Sequence, residues 1–196
     1  IAPARPPRAA EEFLQNFFPD APRIYYSGSL IRTPSETLLD RRIPCDIALQ
    51  VVDTLLSRAP DATVSVEIDD RFYSTQPHEH ALKGDVIDVR EVLDQEPVKI
   101  MLCITPGLSP DILVDLPSAV RHVISDAGTL AQIMHADVSK SDAIRRVVAA
   151  DGADLSSVIA FGDDTNDVEM IRDAGIGIAM ANAVDSVKTV ADHITG

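Results

Sequence analysis

Chemistry concentrates in Phe161-Gly162-Asp163-Asp164-Thr165-Asn166-Asp167, where three aspartates and an asparagine follow an apolar run. Asp163 and Asp167 stand four residues apart, so a loop leading into a first helical turn lets both carboxylates face one site. Clustered carboxylate oxygens suit Mg²⁺, a hard cation that keeps several waters and binds through one or two carboxylates plus a substrate phosphate. The competing explanation is helix capping, because acidic residues, Asn and Thr are favoured where N-terminal backbone N–H groups lack partners. Capping accounts for one or two of these residues, and the remaining negative charge favours a metal. Lys140, in Val138-Ser139-Lys140-Ser141-Asp142, is the second centre. Ser139 reads as an N-cap, which puts the lysine in the first turn, where a cation opposes the helix dipole by roughly a few tenths of a kcal/mol. A lysine so placed can hold a phosphate or screen two carboxylates. Alone it reads as a solvated surface residue; the acidic strand end downstream reverses that expectation. His78 and His80 flank Glu79, and alternate histidines can share a metal on a strand, but a solvated loop pair is the expectation here.

Elements must hold these groups in place. Three- and four-residue spacing of Ala9, Ala10, Phe13, Leu14, Phe17 and Phe18 predicts an amphipathic helix over Pro7 to Phe18, with proline comfortable in its first turn. Strands are predicted at Arg23 to Tyr26, Leu30 to Arg32 and Thr37 to Asp40, with a turn at Ser27-Gly28 and a helix over Pro44 to Ser57. Ala62 to Ile68 alternates as a strand with its polar side outward, and a turn at Asp69-Asp70 makes a hairpin with Arg71 to Tyr73. Ser74 to Gly84 reads as loop, Asp85 to Leu93 as helix, Pro97 to Ile104 as strand, and a helix follows Pro110. Ala119 to Ser125 and Thr129 to His135 read as two more strands, so residues 27 to 136 have an α+β pattern. After Ala136 the rhythm changes to helix (Lys140 to Ala150), strand (Ser157 to Phe161), helix (Thr165 to Ala174), strand (Gly175 to Met180) and helix (Val184 to Ala191), with a short strand at His193 to Thr195. That alternation indicates a parallel sheet with helices on its faces, and ligands bind at the carboxyl ends of such strands.

The 196 residues are 45% hydrophobic and 24% charged, which excludes a disordered or fibrous chain. Seventeen basic residues against 31 acidic give a formal charge of −14, so phosphate backbones and anionic lipid surfaces are repelled; neither nucleic acid nor membrane is expected as a partner. No apolar run approaches the ~20 residues of a membrane helix, and no signal segment opens the chain. Cys45 and Cys103 lie far apart without metal-type spacing and read as two buried thiols in a reducing cytoplasm.

Val138-Ser139-Lys140 with its helix, then Gly162-Asp163-Asp164-Thr165-Asn166-Asp167, then Ala174-Gly175-Ile176-Gly177-Ile178-Ala179-Met180-Ala181-Asn182-Ala183 resemble the C-terminal half of a haloacid dehalogenase-superfamily phosphatase. The Cof-type group, sugar-phosphate and related phosphatases, is the most similar. The resemblance implies an α/β, Rossmann-like core (residues 1–26 and 137–196) with an inserted α+β cap (27–136). It implies that Lys140 steadies the nucleophile and the transferring phosphoryl group. Asp163 would bind Mg²⁺ directly, Asp167 would complete the metal site, and Asn166 would orient that site or the phosphate. The expected partner is a small phosphorylated metabolite. In such enzymes an aspartate attacks phosphorus, a neighbouring aspartate acts as acid and then base, and Mg²⁺ neutralises developing charge.

The sequence also departs from that pattern. No Asp-x-Asp segment precedes Pro3, and Pro3 stands where a hydroxyl residue would bind phosphate. Ser27 stands where asparagine is usual before glycine, and Gln132 where an acidic residue is common. Ile1-Ala2-Pro3 reads as the tail of an element already under way. These 196 residues alone are therefore expected to lack phosphatase activity, with an upstream segment or a second chain completing the core sheet. Two alternatives remain at this point: a catalytically inactive ligand- or partner-binding relative, and, less well fitting, a phospho-acceptor receiver domain using Asp163 or Asp164.

Overall fold

The computed structural model describes residues 1–17, 19–77 and 84–196. In chain order the elements are α1 (Pro7–Phe17), β1 (Arg23–Tyr25), β2 (Leu30–Arg32), β3 (Thr37–Asp40), α2 (Cys45–Arg58), β4 (Val64–Ile68), β5 (Arg71–Ser74), β6 (Asp85–Val86), β7 (Lys99–Cys103), β8 (Val120–Ser125), β9 (Leu130–His135), α3 (Lys140–Ala150), β10 (Ile159–Gly162), α4 (Val168–Asp173), β11 (Ile176–Ala179), α5 (Asp185–Val190) and β12 (His193–Ile194). They form three sheets: antiparallel β1-β2-β3, parallel β10-β11-β12, and a six-stranded sheet in the order β6-β5-β4-β7-β9-β8.

The six-stranded sheet is antiparallel except at β5-β6. Its outer face carries Val64, Val66, Ile100, Leu102, Ala131 and Ile133, all fully buried. α2 covers that face because Ala48, Val51, Val52 and Leu55 recur at helical spacing and point inward. The β4–β5 connection is a tight turn with positive φ at both Asp69 (48°) and Asp70 (63°), a conformation that aspartate tolerates and that matches strand twist. The opposite face differs from the sequence expectation. Ser65 and Glu67, read as solvent-facing, are 2% and 3% exposed, because the N-terminal segment and α1 lie across them. Alternation reported a polar face correctly but could not say whether water or protein lay opposite.

Residues 23–40 also depart from the expected division. β1, assigned with the core, pairs residue for residue with β2, assigned with the insertion, and Ile24 and Ile31 pack together on Ala143 of α3. A boundary at 26/27 therefore cuts a hairpin that belongs with the C-terminal half. Asp85 to Leu93 is not a helix: β6 pairs parallel with the end of β5, and a 3-10 turn at Val89–Val92 follows, started by Asp88, whose side chain accepts from Arg90 N at 3.1 Å. The expected helix after Pro110 is a single 3-10 turn, Pro110–Leu113. In α1, Leu14 is buried as expected while Phe13 is 60% exposed. His78, Glu79 and His80 lie outside the described residues. Both cysteines are free and half-buried. No helix among the described residues is long and apolar enough to cross a membrane.

Candidate active site

The carboxyl end of β10 meets the start of α3 at the floor of a cavity of about 820 Å³, roofed by the polar face of the six-stranded sheet. Sequence dictates this meeting through two close approaches. Gly28, at φ +113°, lies so near α3 that a Cβ there would fall 2.4 Å from the Ser139 carbonyl oxygen. A side chain would thus push the Tyr26–Gly28 turn off the helix start that positions Lys140. Gly162 ends β10 with no side chain, and a Cβ there would lie 2.6 Å from that of Asp167. Ser139 caps α3 as expected, its Oγ accepting from Asp142 N at 3.1 Å.

Lys140 reaches across to the acidic segment. Its ammonium donates to Asp167 Oδ1 at 2.6 Å and contacts Asn166 Oδ1 at 3.4 Å. Both ion-pair side chains are 7% exposed, so the lysine read in isolation as a surface residue is enclosed. Asp167 Oδ2 accepts from the backbone N–H groups of Asp163 and Asp164, at 3.0 and 3.3 Å. Asp167 is thereby the pin that folds the acidic segment back on itself. Asp164 does the capping: its side chain accepts from Thr165 N at 2.7 Å and, with Asp167, closes a capping box. Asp164 Oδ2 also takes the Asp126 N–H at 3.0 Å, tying the β8–β9 turn to the floor. Capping and ion pairing therefore occupy two of the three aspartates.

Asp163 is the carboxylate left open. It is exposed to the cavity, and among the described residues its side chain has one partner, the Asn182 amide at 3.3 Å. No three His, Cys, Asp or Glu side chains among the described residues converge into a metal cage. One open carboxylate with a second beside it suits Mg²⁺, which needs one or two carboxylates and keeps its waters. Asp163 could bind it directly, with Asp167 adjacent.

Two groups escaped the sequence reading. Asn182 lies in a quoted motif but was given no role. Lys99 of β7 is 4% exposed and lines the cavity roof, beside Gln132 and Glu67. Its signal was available: a lone lysine inside an otherwise apolar strand, on the same side as Met101 and Cys103.

Fold and site together define a class: an α/β protein whose parallel-strand edge, bearing carboxylates and an enclosed ammonium, opens into a roofed polar cavity suited to an anionic small molecule. The whole of residues 1–196 matches the family described as haloacid dehalogenase-like hydrolase, and the chain belongs to that family. It is 26% identical over 211 residues to 5-amino-6-(5-phospho-D-ribitylamino)uracil phosphatase YitU of Bacillus subtilis strain 168, spanning 100% of this chain and 78% of that protein. It is 35% identical over 105 residues to the phosphoglycolate phosphatase of Archaeoglobus fulgidus, covering 54% of this chain and 47% of that one. Among solved structures, a sugar phosphatase of haloacid dehalogenase subclass IIB, BT4131, superposes with a TM-score of 0.85 over 100% of this chain and 78% of its own, at 22% identity. That last likeness is one of fold.

Proposed function

We propose that this chain forms the metal- and substrate-binding body of a Mg²⁺-dependent phosphomonoesterase acting on a small phosphorylated metabolite such as a sugar phosphate. The observation that carries this reading is the Lys140–Asp167 ion pair beside open Asp163 at the floor of the roofed cavity. In it, Asp163 would hold Mg²⁺, with Asp167 completing the site beside it. The third N–H of Lys140, unused by Asp167 and Asn166, is available to a phosphate oxygen. When bound, the cation would neutralise charge developing on the phosphoryl group. The names of the relatives support a phosphate ester as substrate. Residues 43–135 then serve as the cap, their polar sheet face selecting the leaving group.

The nucleophile comes from a strand outside these residues, supplied upstream or by a second chain. Support for that strand lies in β10, which among the described residues pairs on one side only, with β11, while Ile159 and Phe161 are 58% and 57% exposed. Apolar side chains and an open backbone edge at one place are what a missing neighbour leaves. The test is hydrolysis of p-nitrophenyl phosphate in Mg²⁺ by the full-length protein. We expect turnover, its loss in Asp163→Asn, and no activity from residues 1–196 alone. Undiminished turnover in Asp163→Asn overturns the metal assignment.

A further inference from the structure

The cavity roof holds a positive charge that the reading above does not use. Lys99 has three N–H groups. One reaches the Ala4 carbonyl at 3.1 Å and one Gln132 Oε1 at 3.1 Å; the third has no acceptor among the described residues. Glu67, a neighbour on β4, is not its hydrogen-bond partner: both Glu67 oxygens are taken by Arg8, at 2.7 and 2.9 Å. Lys99 forms no ion pair among the described residues; beyond its two hydrogen bonds, Glu67 and Asp126 favour its charge without touching it, and the Tyr26 ring centroid lies 5.8 Å from the ammonium. An enclosed ammonium with no carboxylate bonded to it is incompletely compensated, and an arriving anion relieves that cost.

The remaining roof groups define what can arrive. Gln132 spends one amide N–H on Ser125 Oγ at 2.7 Å and keeps one. Ser65 and Ser74 bond each other at 3.1 Å, and Glu67 is closed off by Arg8. The unspent capacity at Lys99 and Gln132 is therefore donors, and the floor opposite is acidic. An acceptor oxygen gains from that roof, and a charged one gains about twice as much as a neutral one.

We infer that Lys99, backed by Gln132, is a specificity-determining residue that receives a carboxylate at the end of the substrate remote from its phosphate. This rests on the phosphomonoesterase reading and narrows its substrate class to phosphorylated acids. Burial holds the Lys99 pKa down to about 8, with Glu67 and Asp126 favouring the charged form and Lys140 and Arg8 opposing it. The ammonium is thus present at neutral pH and is lost as the pH rises through that value, while a bound carboxylate shifts the loss upward.

The test uses two non-hydrolysable ligands of equal length, 3-phosphonopropionate and propylphosphonate, which differ by the carboxylate. Titration calorimetry on the full-length protein in Mg²⁺ at pH 7 should show the carboxylate ligand bound about tenfold more tightly. The preference should shrink between pH 7 and 10. Lys99→Met should abolish it while leaving propylphosphonate affinity within about twofold, and Gln132→Met should reduce it about threefold. Equal affinities in the wild type overturn the assignment, as does a preference that survives in Lys99→Met or does not change with pH. Equal weakening of both ligands by Lys99→Met means that the lysine serves the phosphate, and also overturns it. Should Lys99→Met fail to fold, the wild-type comparison and its pH dependence decide. Failure of the underlying reading looks different: neither phosphonate binds, or Asp163→Asn leaves both affinities unchanged.

Discussion

Lys140 and Asp167 show how much a single residue's environment decides. Their spacing on either side of a predicted strand suggested that they meet, and the structure puts the ammonium 2.6 Å from the carboxylate. Nothing in the spacing gave their enclosure, which arises because the Tyr26–Gly28 turn packs on the start of α3 and β8 packs on the Thr165–Asp167 turn. Removing one member of a buried pair leaves the other's charge uncompensated, at a cost of about 3–5 kcal/mol. Lys140→Met should therefore lower unfolding free energy by about that amount, read from urea denaturation. Asp163→Asn, at an exposed carboxylate with one long contact, should stay within about 0.5 kcal/mol of wild type in the same measurement.

At the scale of elements, α1 and β4 are joined by charge rather than by apolar packing. Arg8 bridges to Glu67 and to Asp70, and Asp70 also accepts the Arg8 backbone N–H, capping the start of α1 from across the chain. Burial raises the Glu67 pKa, while Arg8 and Lys99 pull it back. Without Arg8 the carboxyl would rise further, so the folded state would bind a proton that the unfolded chain, near 4.3, releases. A raised folded pKa favours folding below that value and loses its contribution as pH rises through it. Arg8→Ala should then cost about 3 kcal/mol at pH 7, and the deficit should narrow as pH falls toward about 5, checked by thermal melts across that range. Sequence reading located both elements and the Asp69-Asp70 turn, but treated the Ser65–Glu67 face as solvated. It also overextended Asp85 to Leu93, where strand pairing to β5 satisfies backbone groups that a helix would have satisfied internally.

For the whole molecule, the open edge of β10 makes a prediction of its own. Under the proposed function, backbone amides on that edge should exchange rapidly in residues 1–196 alone and become protected in the full-length protein, measured by hydrogen exchange. Rapid exchange in both would argue against a strand there. By itself the sequence determined the α/β rhythm after Ala136, the acidic segment with its lysine, and the helix–strand order of most of the rest. These follow from periodicity, caps and turn residues, all local. Only the tertiary structure assigned β2 and β3 to α3, turned the polar face of β4 toward a cavity, divided three aspartates between capping, ion pairing and an open position, and left Lys99 enclosed without a carboxylate. Those outcomes depend on which surfaces meet, and a polar residue reads the same in one dimension whether water or another segment lies against it.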